Sequence, residues 1–397
     1  MKNFLFVSPN YPDNYWQFCR ELKRQGLRVL GLGDAPADSL DSRLREALDD
    51  YRQVSSIADY DQMHQAVAAY IQQYGPMDWL ESNNEYWLEQ DARLRTAFGI
   101  TSGFQTDGMP SIRYKSRMKP FYQQAGVPVA KFHVVDDFDS CAAFAAQVGY
   151  PVVVKPDNGH GITDACRLKN DSDLQAFFER REAKTSYIME EFVRGEVNAY
   201  DAIIDANGEP VFETGMVTPM SIIDIVNNND NAIYYVVPQL AEDVRQAGRA
   251  AVKCFGVKSR FVHFEFFRLT QNHPGLGESG QVVALEAGMC PCGGYALDMM
   301  NYAGSVDVYR IWAEMIAGKA EAEERTAGAF CAFVGRKPGR HFLISHQRLE
   351  EKYGSCLRHR EQILPSQPQE TPGQRYIGLF STREEMNAFY TEALWCE

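Results

Sequence analysis

Two glutamates interrupt the most apolar stretches of this chain: Glu265 in 261-FVHFEFF-267 and Glu286 in 283-VALEAGMCPCGG-294. A carboxylate inside such a run needs a cation to offset the cost of leaving water. Period-two alternation sets His263, Glu265 and Phe267 on one strand face, and Val282, Ala284 and Glu286 on one face of the next strand. If the two strands pair, two carboxylates converge. Mg²⁺ takes hard oxygen ligands, commonly one or two carboxylates together with substrate phosphates, so a magnesium site is one reading. An ion pair of Glu265 with His263 or with an arginine is the other.

Two further windows carry chemistry. In 150-YPVVVKPDNGHG-161, Lys155 ends an apolar strand and runs into a loop containing Gly159, His160 and Gly161. A lysine at a buried strand end needs an anion, and a glycine loop lets backbone N–H groups approach phosphate oxygens. The same residues equally describe a surface lysine ahead of a Pro-Asp turn. In 188-IMEEFVRGEVNAYDAIID-205, the sequence Glu190, Glu191, Phe192, Val193 lies at a strand exit. Its backbone could meet an adenine edge and Glu196 a ribose hydroxyl; solvated glutamates at an ordinary strand end are the alternative.

The elements that must position these groups fall into three parts. Residues 1–110 alternate short apolar runs with amphipathic segments closed by Gly26 and Gly75, a βαβ pattern around a parallel sheet. Residues 111–318 hold the chemistry. They read as strands and helices of α+β character, with Asn207-Gly208 as the turn of a hairpin and Gly149 closing a helix. Residues 319–397 read as a smaller strand-containing cap. The fold class is therefore α/β, with 397 residues making two or three domains.

Composition excludes several functions. Forty Lys and Arg against 53 Asp and Glu give a net charge of −13, which disfavours nucleic acid or an anionic membrane as partner. The opening MKNFLFVSPN is too short in its apolar run for a signal peptide or a membrane span, and reads as a buried first strand. Nine scattered cysteines fit a reduced, cytoplasmic setting. Cys290 and Cys292 alone lack the remaining ligands of a zinc site.

Taken in order, 114-YKSRMKPFYQQAGVPVAKF-132 and the four windows above resemble the ATP-grasp superfamily, which includes D-alanine:D-alanine ligase, biotin carboxylase and the large chain of carbamoyl phosphate synthase. The resemblance spans about half the chain, and the βαβ first third fits the domain that usually precedes it. It implies ATP and Mg²⁺ as cofactors, with small carboxylate and amine substrates, and leaves a homodimer open. By the resemblance, Lys115 and Lys155 are the two nucleotide-phosphate lysines, Gly159 and Gly161 belong to the lid over the triphosphate, and Glu190, Glu191 and Val193 form the adenine hinge. Glu196 is the ribose ligand, Glu265 and Glu286 hold magnesium, and Lys155 and Glu286 are the groups closest to catalysis. Such enzymes activate a carboxylate as an acyl phosphate, which an amine then captures.

One departure bears on activity. The superfamily pattern after the second glutamate is typically E-x-N-x-R-P, with Asn as a further metal ligand and Arg facing the transferring phosphoryl group. Here Gly288 and Cys290 occupy those positions. Arg268 points away from Glu265 by strand alternation, and Arg113, Arg117 and Arg310 have no position from sequence alone. Two classes of function remain: an ATP-dependent carboxylate–amine ligase, and a catalytically impaired ATP-binding protein of the same fold. If the strand has only lost its two companions, Gly288→Asn combined with Cys290→Arg is expected to raise turnover, provided Gly288 does not hold a backbone angle that Asn tolerates poorly.

Overall fold

The computed structural model describes residues 1–159, 165–220, 230–322, 328–363 and 373–396. The first strand, Asn3–Val7, is buried along its whole length, which is why its apolar run is unbroken. It is one of the two inner strands of a four-stranded parallel sheet, flanked by Arg28–Gly33 and Trp79–Glu81, with Asp50–Gln53 outside Arg28–Gly33. The chain order therefore reverses between Asn3–Val7 and Trp79–Glu81. In open parallel sheets the crevice at such a reversal, beyond the carboxyl ends of the strands, is where ligands bind. Both strands end there in backbone that few residues adopt: Ser8 and Asn83 have φ of 52°.

A buried ionic network joins this sheet to the rest of the molecule. Glu81 Oε2 accepts from Arg95 Nη2 at 2.9 Å and from Arg260 Nη2 at 3.2 Å, and Asp91 Oδ2 accepts from the Ser82 amide at 2.9 Å. Burial, then the neighbouring Glu81, pushes Asp91 up to about 7. Arg95→Ala leaves Glu81 with Arg260 alone, takes from buried Asp91 the cation 3.9 Å away and removes the donors to the Leu80 and Phe104 carbonyls, so it is expected to lower unfolding free energy by about 3–5 kcal/mol. Chemical denaturation of the variant measures this, and a loss below about 1 kcal/mol would mean water reaches Glu81.

A second sheet is antiparallel and eight-stranded, ordered Val282–Gly288, Arg260–Leu269, Gly195–Ile204, Pro210–Thr218, Ala232–Val236, Phe330–Arg336, Gly373–Phe380, Leu357–Ile363. The strands of residues 319–397 thus continue the sheet that begins within residues 111–318. The Asn207-Gly208 turn joins Gly195–Ile204 to Pro210–Thr218, with Gly208 at φ 90°. One face packs on helices Lys115–Gln124 and Glu242–Cys254 through Tyr122, Val252, Phe264 and Phe266. The other packs on Ala296–Gly304 and Val308–Ala317, whose Trp312 also meets Phe4, Phe6 and Phe18.

A third sheet is small, ordered Phe132–Val134, Tyr187–Glu191, Val152–Pro156, Cys166–Leu168, and is backed by helices Phe138–Val148 and Asp171–Arg180. Gly149 closes the first of these helices at φ 82°. A bridge from Val129 to Ala284 ties the start of this unit to the edge of the large sheet. Among the described residues no helix is long and apolar enough to cross a membrane.

Candidate functional site

Glu265 and Glu286 are directly opposed across neighbouring strands, but not by the simple alternation expected. The register runs Glu265↔Glu286 and then Phe266↔Ala284, leaving Leu285 over as a bulge. Val282 and Ala284 share the apolar face with Phe266, and the extra residue turns Glu286 to the other side, beside Glu265. Without the bulge, Glu286 would be driven into the Tyr122–Phe264–Phe266 core. Burial opposes ionisation of Glu265, but His263 and Lys155 outweigh it and hold its carboxyl below the usual range.

Both readings of Glu265 have their geometry. Its Oε1 stands 3.4 Å from His263 Nε2, and its strand partner is the second carboxylate. His263 Nδ1 in turn meets Asp201 Oδ1 at 2.8 Å. Burial works against charge on this imidazole; Cys292 and Asp201 outweigh it and hold His263 well above the ordinary histidine range.

The lysines arrive from two other elements. Lys115 opens helix Lys115–Gln124, and its Nζ donates to the Gly159 carbonyl at 2.9 Å and pairs with Glu286 Oε1 at 2.9 Å. The loop after strand Val152–Pro156 fixes this helix end: Asp157 accepts from the Ser116 amide at 2.7 Å and the Ser116 hydroxyl at 2.6 Å, which satisfies orphan donors of the first turn. Lys155 Nζ pairs with Glu190 Oε2 at 2.6 Å, and Lys119 takes the other oxygen of the same carboxylate. Burial alone would push Glu190 up, yet Lys119 and Lys155 bring it down to about 2. Burial likewise works against charge on Lys155, and Glu190 and Glu286 hold it above the ordinary lysine value.

Lys119 was not singled out from sequence, although it lies one helical turn after Lys115 and on the same face. Glu85 was missed as well. It follows the Asn83-Asn84 turn at the reversal of the first sheet, accepts from Arg113 Nη1 at 3.1 Å, and is pushed up by burial and then by Glu286. Arg113 is thereby placed beside the site, two residues before Lys115. Arg268 is committed to Asp243 through both Nη atoms at 2.7 and 2.8 Å, Arg310 pairs with Glu314 at 2.8 Å, and Arg117 lies over the Tyr114 ring.

The residues expected at the adenine hinge are placed unevenly. Glu191 spends its carboxylate on the Lys131 amide at 2.7 Å while its own amide donates to the Lys131 carbonyl at 3.0 Å, so this side chain anchors the strand end. Val193 is buried with Ala130, Leu269, Leu276 and Val283, an apolar wall beside that exit. Glu196 is half-buried and faces Arg268 in register. Gly159 contributes its carbonyl to Lys115; His160 and Gly161 lie outside the described residues.

The residues where the superfamily has Asn and Arg follow local packing. Gly288 lies opposite His263, and a Cβ there would stand 2.9 Å from the His263 carbonyl oxygen. Its φ is outside the left-handed region, so the constraint is close strand approach and not the backbone angle considered from sequence. Cys290 is buried beside Arg260, whose Nε donates to the Met289 carbonyl at 2.8 Å. Gly288→Asn with Cys290→Arg therefore forces strands apart and sets a second guanidinium next to a buried one. We expect lower thermal stability and no gain in magnesium-dependent turnover, which reverses the expectation from sequence. A variant that melts like the parent chain and turns over faster would show that the strand gives way at no cost.

Chemically, the site brings three lysines and three carboxylates to the meeting point of the small sheet, the large sheet and helix Lys115–Gln124. Each lysine is already paired with a glutamate, so phosphate can engage a lysine only by sharing it with that carboxylate or by displacing it. Two opposed carboxylates supply the hard oxygen donors suited to Mg²⁺.

Comparison with known proteins gives the same frame. No protein-family model matches the chain. It is 25% identical over 181 residues to D-alanine–D-alanine ligase B of Chromobacterium violaceum, covering 45% of this chain and 57% of the relative. It is 34% identical over 92 residues to the L-arginine-specific L-amino acid ligase of Bacillus subtilis, covering 23% of this chain and 22% of the relative. The matches thus span little more than half of the first relative and about a fifth of the second. The crystal structure of an L-amino acid ligase from Bacillus licheniformis superposes with a TM-score of 0.70 at 17% identity, over 99% of this chain and 96% of that one.

Proposed function

We propose that this chain, which has the ATP-grasp fold, is an ATP- and Mg²⁺-dependent ligase that activates the carboxylate of a small acid, an amino acid above all, and joins it to an amine. The observation that carries this reading is the convergence of Lys115, Lys119 and Lys155 on Glu190 and Glu286, beside the opposed Glu265. The names of the relatives, ligases of D-alanine and of L-amino acids, support the substrate class.

In this reading Lys119 and Lys155 hold phosphate oxygens and Lys115 ties the loop at Gly159 to Glu286. Glu265 and Glu286 would hold magnesium, which when bound supplies neutralisation of phosphate charge. A carboxylate oxygen of the first substrate attacks the γ-phosphorus and ADP leaves. The amine of the second attacks the acyl carbon, inorganic phosphate leaves, and the amine proton passes to solvent. Phosphoryl transfer of this kind relies on positioning and charge more than on covalent help from the protein.

Gly288 and Cys290 favour a second reading, an ATP-binding protein with impaired turnover. Against it stand other cations near those positions: Arg260 bonded to the Met289 carbonyl, and Arg113 on Glu85. The deciding experiment incubates the protein with ATP, Mg²⁺ and pools of amino acids, and follows ADP together with the mass of new amides. Stoichiometric ADP and amide are expected. Nucleotide binding with no amide from any pool of carboxylates and amines would support the impaired reading instead.

A further inference from the structure

The segment that enters the small sheet holds a second cluster of metal-ligating side chains, separate from the lysines and glutamates above. His133 lies in strand Phe132–Val134, Asp136 in the short link that follows, and Cys141 in the first turn of helix Phe138–Val148. Their ligand atoms all lie within 4.8 Å of one another. His133 Nε2 meets Asp136 Oδ1 at 2.8 Å, and Cys141 Sγ lies 4.0 Å from that oxygen. From His133, Asp136 and Cys141 we propose a zinc-binding site with three protein ligands and a fourth position left to water.

Ligand chemistry selects the ion. One thiolate, one imidazole and one carboxylate suit zinc, whereas a soft sulfur disfavours Mg²⁺ and Ca²⁺. With bonds of about 2.0–2.3 Å in a tetrahedron, ligand atoms stand roughly 3.3–3.6 Å apart, so the nitrogen–oxygen pair must open and the sulfur–oxygen pair close by about 0.5 Å each, and the sulfur–nitrogen pair, which lies within 4.8 Å, must close by up to about 1.2 Å, a movement within reach of side-chain rotation.

The scaffold holds the three groups in place before any ion arrives. His133 is pinned by pairing with Met189 in the neighbouring strand, and its ring packs on Phe144, 5.8 Å between centroids. The Asp136 carbonyl accepts from Arg181 Nη2 at 3.1 Å. Asp137 caps the helix through the Ser140 amide at 2.9 Å, and its carbonyl accepts from the Cys141 amide at 3.2 Å, which fixes the backbone that carries the thiol.

Access is uneven in the way such a site requires. Cys141 is fully buried, His133 is 28% exposed and Asp136 57% exposed at their side chains, so an ion enters from the carboxylate side and meets the thiol last. A groove of 610 Å³ lined by Lys131, His133, Ser140 and Phe144 adjoins it. Burial pushes the Cys141 thiol up, so zinc must displace its proton to solvent as the zinc–sulfur bond forms. The site belongs to the same strand as Phe132, which pairs with Glu190, but does not share a ligand with the nucleotide site.

The test uses the full chain stripped of metal with a chelator. Titration with Co²⁺, a spectroscopic substitute for zinc, is expected to give one bound ion, with the near-ultraviolet charge-transfer band of a cobalt–thiolate bond, and added zinc should erase it. His133→Gln, at a partly exposed position that tolerates exchange, should weaken zinc by at least about a hundredfold, beyond the roughly 10–100-fold that outer-shell losses cost. Cys141→Ala should remove the thiolate band, while Cys290→Ser with Cys292→Ser should leave it. No band in the parent chain, unaltered zinc affinity in His133→Gln, or a band that survives Cys141→Ala would each overturn the proposal.

Discussion

Glu286→Gln is expected to lower magnesium-dependent ATP turnover by at least about a hundredfold while leaving the fold in place, and Glu265→Gln to do the same. Glutamine keeps the size of the side chain and removes the charge a hard cation needs. The two variants should nonetheless differ. Glu286 also pairs with Lys115 Nζ at 2.9 Å, so its neutralisation leaves a buried ammonium with neutral oxygens alone, those of the Gly159 carbonyl and the new amide. Glu265 has His263 at 3.4 Å, and that imidazole keeps Asp201 as a stronger partner at 2.8 Å. In the absence of magnesium, nucleotide affinity is therefore expected to hold or rise in Glu286→Gln, where a carboxylate is neutralised and Lys115 is released, and to change less in Glu265→Gln. Turnover titrated against Mg²⁺, beside nucleotide binding with and without the ion, separates these effects. If either variant keeps the magnesium dependence of the parent chain, that glutamate serves an ion pair and nothing more.

Much of this site was legible because charge inside an apolar run is rare. Glu265, Glu286 and Lys155 each announce themselves that way, and the structure sets Glu265 opposite Glu286 with Lys155 paired to Glu190. The bulge at Leu285 was not legible, since leucine fits an alternating strand and a bulged one equally, and only the partner's register decides. Lys119 was passed over for a different reason. Lysine at i+4 on a polar helix is ordinarily solvated, and nothing in the local sequence shows that Glu190, 71 positions away, lies against it. Long-range pairing also hid the Glu81–Arg260 contact, which spans 179 positions. That residues 319–397 contain strands could be read, but the place of Phe330–Arg336 and Gly373–Phe380 in the large sheet depends on hydrogen-bond partners that no local pattern encodes.

Lys155→Ala is expected to weaken ATP roughly ten- to a hundredfold and adenosine hardly at all, because a hydrogen bond to a charged group is worth about 1.5–3 kcal/mol and the removed group addresses phosphate. Lys119→Ala should behave alike, since Lys119 and Lys155 share one carboxylate, that of Glu190. Each single variant leaves Glu190 one cation, which is enough to keep it ionised and the fold intact. The double variant leaves it none. A carboxylate that is buried to 6% exposure and stripped of both lysines should cost about 3–5 kcal/mol of stability, which exceeds what either single change costs. Glu190→Gln completes the test. If Glu190 only stores the lysines until phosphate arrives, its neutralisation frees them and ATP should bind at least as tightly as to the parent chain. A large loss of ATP affinity in Glu190→Gln, matched by equal losses for ATP and adenosine in Lys155→Ala, would mean that the three groups build the floor of the site and do not themselves hold phosphate.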